Sequence, residues 1–213
     1  DRFYFLIVEI LYEEGFVHSY SLPIAIVEPD VKMAKGVIST LESGHKLVDA
    51  VFLDSFRLAL FRLLNANGKV DLPHGYFDVN CGTSLLEYAV DSPDSKVLSV
   101  EQSNTTMVFG DKYFLKLYRR LSRDANPDIE MAQYLSEESE FNHIPAFAAS
   151  LNWCRKGLYD VSLGLMQEKV ENEGDAWTWT NDLLAQSFDL IHAESITVDE
   201  LPQIELLDRK SVV

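Results

Sequence analysis

The sequence contains few cysteines, few basic residues and no long apolar run. Its two cysteines, Cys81 and Cys154, lie far apart and fit no metal-ligand spacing, which predicts two reduced thiols in a cytoplasmic protein. Only 18 Lys and Arg residues stand against 34 Asp and Glu residues, for a formal net charge of -16. Because nucleic acids and bilayer surfaces are themselves anionic, this charge argues against both as partners.

The apolar segments that are present are short. Phe3–Val8 is apolar, but Glu9 interrupts it and no small-residue cleavage site follows, so we predict a strand there and neither a signal peptide nor a membrane span. With 213 residues, of which 47% are hydrophobic, the chain is long enough for one large or two small domains with a proper core.

Alternating apolar residues and turn signals predict hairpins and one helix in the first part of the chain. The predicted elements are a hairpin of residues 3–12 and 16–27, a hairpin of residues 37–41 and 44–51, and a helix that starts at Asp54 or Ser55 and ends before Asn67. Residues 65–80 are predicted to be rich in loops, and residues 82–90 fit a strand or a short helix. Residues 91–95 are turn-forming throughout, which predicts a boundary between a cap domain of residues 1–95 and the rest of the chain.

Residues 101–120 predict two short strands joined by a tight turn at Gly110-Asp111. The second strand carries Lys116 between apolar neighbours, which is typical of a charge on a sheet edge or of a lysine directed at an anion. Kinases place their phosphate-binding lysine in this way, on a strand that follows a phosphate-covering hairpin. The hairpin has no GxGxxG motif, so hydroxyl and backbone donors would have to come from Ser103, Asn104, Thr105 and Thr106. An ordinary hairpin with one solvated lysine is the alternative.

A helix is predicted over residues 126–139, with Asn126 as its cap, Pro127 at its first position and acidic residues in its first turn. Glu130 on this helix is the predicted partner of Lys116, as in the ion pair that holds a kinase lysine on its nucleotide. Alternatively, Glu130 only complements the helix dipole. The densest basic cluster, Arg119, Arg120 and Arg123, follows Lys116 and is predicted to lie near the same anion site or to serve only solubility.

Together these segments resemble the maltokinases, which occur as free enzymes and fused to trehalose synthase. The resemblance extends over most of the chain and rests on the strings QSNT, FLKLYRRL, NPDIE and QEKVENEGDAWTW. It implies an α+β protein in which a cystatin-like N-terminal cap, an antiparallel sheet with one helix, precedes a lobe similar to the small lobe of protein kinases and aminoglycoside phosphotransferases. It also implies transfer of the γ-phosphate of ATP to the anomeric hydroxyl of maltose, which gives maltose 1-phosphate.

By this resemblance, residues 96–180 form the small lobe, with five antiparallel strands and one helix, and residues 181–213 begin a large lobe. Met166–Val170 would be the hinge segment, at which adenine is bound by the Glu168 carbonyl and the Val170 amide while Gln167 lines the pocket. The alternative is a strand end that leads into a polar loop. The resemblance further implies ATP with Mg²⁺ as cofactors, and a trehalose synthase domain or subunit as a partner.

Other parts of a kinase are missing from the sequence. No HGD-like catalytic loop and no downstream metal-binding Asp are present, because His74-Gly75 is followed by Tyr76 and precedes the lysine strand. We therefore expect a fragment that is inactive by itself, with the metal ligands and the acceptor pocket in an absent large lobe. Two alternatives are a kinase for another small-molecule alcohol and a non-catalytic regulatory or interaction module derived from a kinase small lobe.

Overall fold

The computed structural model describes residues 2–88, 90–100, 103–122, 126–141, 143–171, 174 and 176–194. The internal contacts divide the chain into two units, residues 1–169 and residues 170–213. Gln102, Arg123 and residues 195–213, the greater part of the predicted start of a large lobe, lie outside the described residues.

The first unit begins with an antiparallel sheet that contains the two predicted hairpins. Its strands are β1 (Phe3–Leu11), β2 (Val17–Val27), β3 (Val37–Thr40) and β4 (Lys46–Asp49), in the order β1-β2-β4-β3. A later two-residue strand, β10 (Arg120–Leu121), also pairs with β2. Both predicted hairpins are confirmed by the pairing of β1 with β2 and of β3 with β4. Alternation of inward and outward side chains fixes the register of a strand that covers a core.

Helix α1 (Asp54–Asn65) follows a short 3₁₀ turn at Ala50–Phe52 and confirms the predicted helix. It buries Phe56, Leu60, Phe61 and Leu64, which recur at the spacing of one helical face. Phe61 packs on Phe109 of the next sheet with ring centroids 5.4 Å apart. The helix therefore provides one wall of the core of this unit.

The second sheet of this unit has seven antiparallel strands in the order β5-β6-β11-β12-β9-β8-β7. The strands are β5 (Gly68–Leu72), β6 (Gly75–Cys81), β7 (Ser95–Val100), β8 (Asn104–Phe109), β9 (Tyr113–Tyr118), β11 (Phe147–Cys154) and β12 (Val161–Glu168). The protein is thus of the predicted α+β class, with two antiparallel sheets and few helices. The five strands expected for residues 96–180 are present, and β5 and β6 extend the same sheet. The boundary at residue 95 stays a prediction.

The expectation of loops over residues 65–80 is wrong, because β5 and β6 form a hairpin there. Its inward residues on β6, Phe77, Val79 and Cys81, alternate with polar residues, so the sequence contains a strand signal here that the neighbouring turn-forming residues obscure. For residues 82–90 the sequence allowed a strand or a short helix, and the structure shows a helix there, α2 (Thr83–Leu86).

Helix α3 (Pro127–Gln133) begins where the sequence predicts it. The Asn126 side chain accepts a hydrogen bond from the Asp128 amide at 3.0 Å, and a π-helical turn continues the helix over Tyr134–Glu138. Ile129 and Ala132 are the buried residues of α3. Because these two residues define the buried side of the helix, Asp128 and Glu130 lie on its flanks.

The second unit contains helix α4 (Ala176–Glu194). Among the described residues, no helix is both long and apolar enough to cross a lipid bilayer.

Candidate functional site

The hairpin of β8 and β9 turns at Gly110 and Asp111, as predicted. Both residues have positive φ, 58° and 50°, which fits the central positions of a primed β-turn, closed by a hydrogen bond from the Lys112 amide to the Phe109 carbonyl. A Cβ at Gly110 would overlap with the Tyr88 hydroxyl, so a larger residue there would require the Tyr88 side chain to shift. In the hairpin that follows, Lys116 lies opposite Thr106 on β8, and the pairing of β9 with β12 places it opposite Leu165.

Lys116 lies on the face of the sheet opposite to the face that packs against α1. Its neighbours Leu115 and Leu117 are almost fully buried on the core face, so alternation along β9 sends the lysine to the other face. There its Nζ is 3.2 Å from Oδ2 of Asp128 on α3 and 5.7 Å from the centroid of the Tyr118 ring. The side chain is 43% exposed. A partly covered ammonium group is thus held between a central strand and the first turn of a helix.

The partner of Lys116 is Asp128 and not Glu130, which corrects the predicted ion pair. Successive helical residues are about 100° apart, so Asp128 and Glu130 flank the buried Ile129 on opposite sides. With Asp128 against Lys116, the exposed Glu130 faces away from the lysine. The sequence contained no signal for this choice, because both acids are equally far from the residue that docks the helix.

The polar run before β9 divides between the two faces of the sheet. Thr106 lies directly opposite Lys116 and shares its face, and Asn104 shares that face further along β8. Asn104 donates its side-chain amide to the Ser103 hydroxyl at 3.1 Å, and Ser103 is exposed. Thr105 faces the core, is completely buried, and accepts a hydrogen bond from Arg119. Three of the four predicted polar residues therefore lie on the side of Lys116 or at the strand end, and the Thr105 side chain does not.

The predicted hinge residues lie at the end of β12. Gln167 pairs with Phe114 in the ladder, which places it on the face of Lys116, and its side-chain amide donates to the Pro145 carbonyl at 3.2 Å. Glu168 lies on the opposite face and accepts a hydrogen bond from the Ser84 hydroxyl at 2.5 Å. Val170 belongs to the second unit and is 52% exposed.

Arg119 is not a surface charge near the anion site, as the basic cluster had suggested. It is buried, donates from Nε to the Thr105 hydroxyl at 2.8 Å, and forms an ion pair with Asp49 at 2.7 Å. Arg120 is exposed and lies 2.9 Å from the ring nitrogen of His18. The contacts of Arg119 and Arg120 are therefore with groups other than those around Lys116.

Tyr118 completes this face beside Lys116. Burial, together with the negative charge of Asp128, raises the pKa of its phenol from about 10 to about 12. The phenol therefore stays neutral at all physiological pH values and contributes an uncharged wall next to the lysine.

This shift predicts a loss of stability in alkali. Between pH 10 and pH 12 the unfolded chain releases the Tyr118 proton while the folded chain retains it, so the free energy of unfolding should fall, by at most about 1.4 kcal/mol per pH unit from this group. Urea unfolding at a series of pH values measures this fall in the free energy of unfolding. Tyr118→Phe should flatten the slope in this window, whereas Tyr159→Phe, at a side chain 77% exposed, should not. Equal slopes in wild type and Tyr118→Phe would contradict the assignment.

No metal centre is evident on these elements. Among the described residues, no group of three or more His, Cys, Asp or Glu side chains is placed to hold a metal ion. In the part of the chain that the structure describes, the face of Lys116 therefore offers this lysine, hydroxyl and amide groups and no carboxylate cluster, and Lys96 lies on the same face at the edge strand β7, opposite Val108.

No protein-family model matches the chain. Similar solved structures include glucosamine kinases. One, in crystal form B, has a TM-score of 0.48 at 14% identity over 95% of this chain and 41% of that chain, and crystal form A has 0.45 at 15% over 93% and 41%. A glucosamine kinase in complex with glucosamine, ADP and inorganic phosphate has 0.43 at 14% over 94% and 42%. The chain spans about two fifths of the length of these kinases.

Proposed function

We propose that this chain is the cap and the ATP-binding part of an ATP-dependent sugar kinase. The observation that carries the proposal is Lys116, held on a central strand by the carboxylate of Asp128 on the neighbouring helix. In kinases a strand lysine with a helix acid as its partner contacts the α- and β-phosphates of the nucleotide. Asp128 would take the place of that acid, a role for which the sequence favoured Glu130.

The other groups on this face fit the needs of a nucleotide. The Lys116 ammonium would bind the phosphates and draw negative charge from the group that is transferred. The Thr106 hydroxyl lies directly across the ladder from it, and Ser103 and Asn104 stand at the open end of β8. Gln167 shares the face at the end of β12 and would border the base. Roles for the Glu168 carbonyl and the Val170 amide stay predictions.

Other parts of the proposal rest on the sequence resemblance alone. Maltose as the acceptor and a trehalose synthase domain as partner follow from the maltokinase-like strings, of which FLKLYRRL contains Lys116. Mg²⁺ is expected with ATP, but the described residues offer no group to hold it. The steps assigned to this chain are therefore nucleotide binding and stabilisation of phosphate charge.

Replacing Lys116 with alanine should weaken ATP binding at least about tenfold, because a charge-assisted contact to phosphate is lost. Isothermal titration calorimetry of the 213-residue chain with ATP measures this. Lys69→Ala is the matched control, because Lys69 is an exposed strand lysine of the same sheet whose amine lies over the Tyr76 ring. Asp128→Asn should weaken binding less, since it loosens the lysine and leaves its charge. Equal ATP affinity in wild type and Lys116→Ala would contradict the proposal.

A second candidate is a non-catalytic module that keeps the architecture without the nucleotide. It is favoured by the burial of the Thr105 side chain and by the outward position of Glu130, two residues that the sequence had assigned to the nucleotide site. The same calorimetry separates the candidates. A wild-type chain without measurable affinity for ATP would support the second candidate and overturn the first.

A further inference from the structure

A large cavity lies within the first unit, away from Lys116. Its volume is about 760 Å³, which is in the range of sites that enclose small organic ligands. The wall is built mainly by apolar side chains of β1, of the β5–β6 hairpin and of β12, namely Phe3, Phe5, Ile7, Leu72, Phe77 and Leu163. The cavity is thus shaped for an apolar body.

One polar group in this wall lacks its partner. Arg155 follows β11, and its guanidinium carbon lies 4.0 Å from the centroid of the Trp153 ring. Its Nε is buried, and among the described residues it has no hydrogen-bond partner. A buried donor without an acceptor is costly, and few persist in folded proteins. The Arg155 guanidinium, fixed against the indole, lines the cavity, while its Nε is covered by the surrounding fold.

The charged side chains that line the cavity are basic. Arg2, His74 and Arg155 line it, and no Asp or Glu does, although acidic residues outnumber basic ones 34 to 18 in the chain as a whole. An anion in the cavity would meet the guanidinium groups of Arg2 and Arg155, and Glu9 lines only the adjoining pocket that shares Arg155. Carboxylates are well matched to arginine, because the planar group donates parallel hydrogen bonds.

We propose that this cavity binds a small monocarboxylate with an apolar body, of the class of medium-chain fatty acids. The carboxylate accepts hydrogen bonds from Arg155, and the hydrocarbon chain lies along Phe5, Phe77 and Leu163. Such a ligand would pair with the guanidinium group of Arg155 and fill the space between β1 and the β5–β6 hairpin. Because it binds only the folded chain, it would also raise the stability of the folded state by mass action. The site is separate from the one proposed for ATP.

Calorimetry with three eight-carbon probes tests the proposal on the intact 213-residue chain. Octanoate, octanol and octylamine share one tail and differ only in the head group. Octanoate is expected to bind at least about tenfold more tightly than octanol, because a charge-assisted contact replaces a neutral one, and octylamine should bind weakest. No binding of octanoate, or affinities equal for octanoate and octanol, would overturn the proposal without any variant being made.

A variant pair locates the contact. Arg155→Gln should reduce the affinity for octanoate at least about tenfold and leave the affinity for octanol unchanged. Lys156→Gln removes the same charge from the neighbouring exposed position and should bind octanoate as the wild type does. If both variants bind octanoate with wild-type affinity, the carboxylate does not rest on Arg155 and the proposal fails. Circular dichroism confirms that each variant is folded before titration.

Discussion

Replacing Arg119 with alanine is expected to lower the free energy of unfolding by about 2 to 3 kcal/mol, because it leaves a half-buried carboxylate without its charged partner. The Arg119 side chain is 9% exposed and that of Asp49 16% exposed, and their charged groups are 2.7 Å apart. The guanidinium also donates to the Thr105 hydroxyl, which is itself completely buried. This single truncation therefore leaves two polar groups without the side chain that contacts them, one from each sheet.

Urea unfolding measured by circular dichroism gives the change directly. Arg120→Ala is the control, because it removes the same charge from the adjacent, exposed residue and should cost well under 1 kcal/mol. A double-mutant cycle of Arg119→Ala with Asp49→Ala should return a coupling energy of at least about 1 kcal/mol. If Arg119→Ala and Arg120→Ala are equally mild, the ion pair does not hold the sheets together as described.

Replacing Gly75 with alanine is expected to cost about 3 kcal/mol or more, or to prevent folding. Gly75 has φ of +119°, a conformation that L-residues rarely adopt. A Cβ there would overlap with the Cys154 carbonyl oxygen of the neighbouring strand and would come within 3.3 Å of the Cys154 carbonyl carbon. Backbone atoms within a ladder cannot move aside as a flexible side chain can, so strain and overlap add.

Gly157→Ala is the matched control for this substitution. Gly157 also has positive φ, +76°, in the turn that joins β11 to β12, but nothing lies within 4 Å of an added Cβ. Its cost should be that of the backbone conformation alone, about 1 kcal/mol. Thermal unfolding of the two variants, together with soluble yield, compares them. A Gly75→Ala protein as stable as Gly157→Ala would show that the β5–β6 hairpin is not packed against Cys154 in this way.

Sequence periodicity predicted those elements whose apolar residues lie on one face. Helix α1 was confirmed for that reason, whereas the β1–β2 hairpin was predicted from an apolar run and turn residues, since the outward residues of β1 are also apolar. The β5–β6 hairpin was missed because Gly, Pro and Asp crowd its turn, although the polar outward residues of β6 give the alternation of a half-buried strand. What identifies it as sheet is pairing with β11, about seventy residues later, which no local pattern reveals.

The candidate site was predicted in the same uneven way. The position of Lys116 on a strand, away from the core, followed from its apolar neighbours. Alternation could also have separated Thr105 from Thr106, because adjacent strand residues face opposite ways. The choice of Asp128 over Glu130 depends on how α3 is rotated on the sheet, and the burial of Arg119 depends on Asp49, seventy residues earlier in the chain. Both are long-range contacts, and they lie beyond the reach of local sequence patterns.

The pairing of β10 with β2 has a consequence for how the molecule is made. The Ser21 hydroxyl donates to the carbonyl of Tyr118, 97 residues away, and the Ser21 amide donates to the carbonyl of Arg119. During synthesis at roughly 5 to 20 residues per second, a nascent chain therefore waits several seconds with one flank of β2 uncovered. Closing so long a loop is slow, and until it closes β2 is an open template for the strands of other nascent chains. We expect β2 to be most prone to pairing with other chains during this stretch of translation.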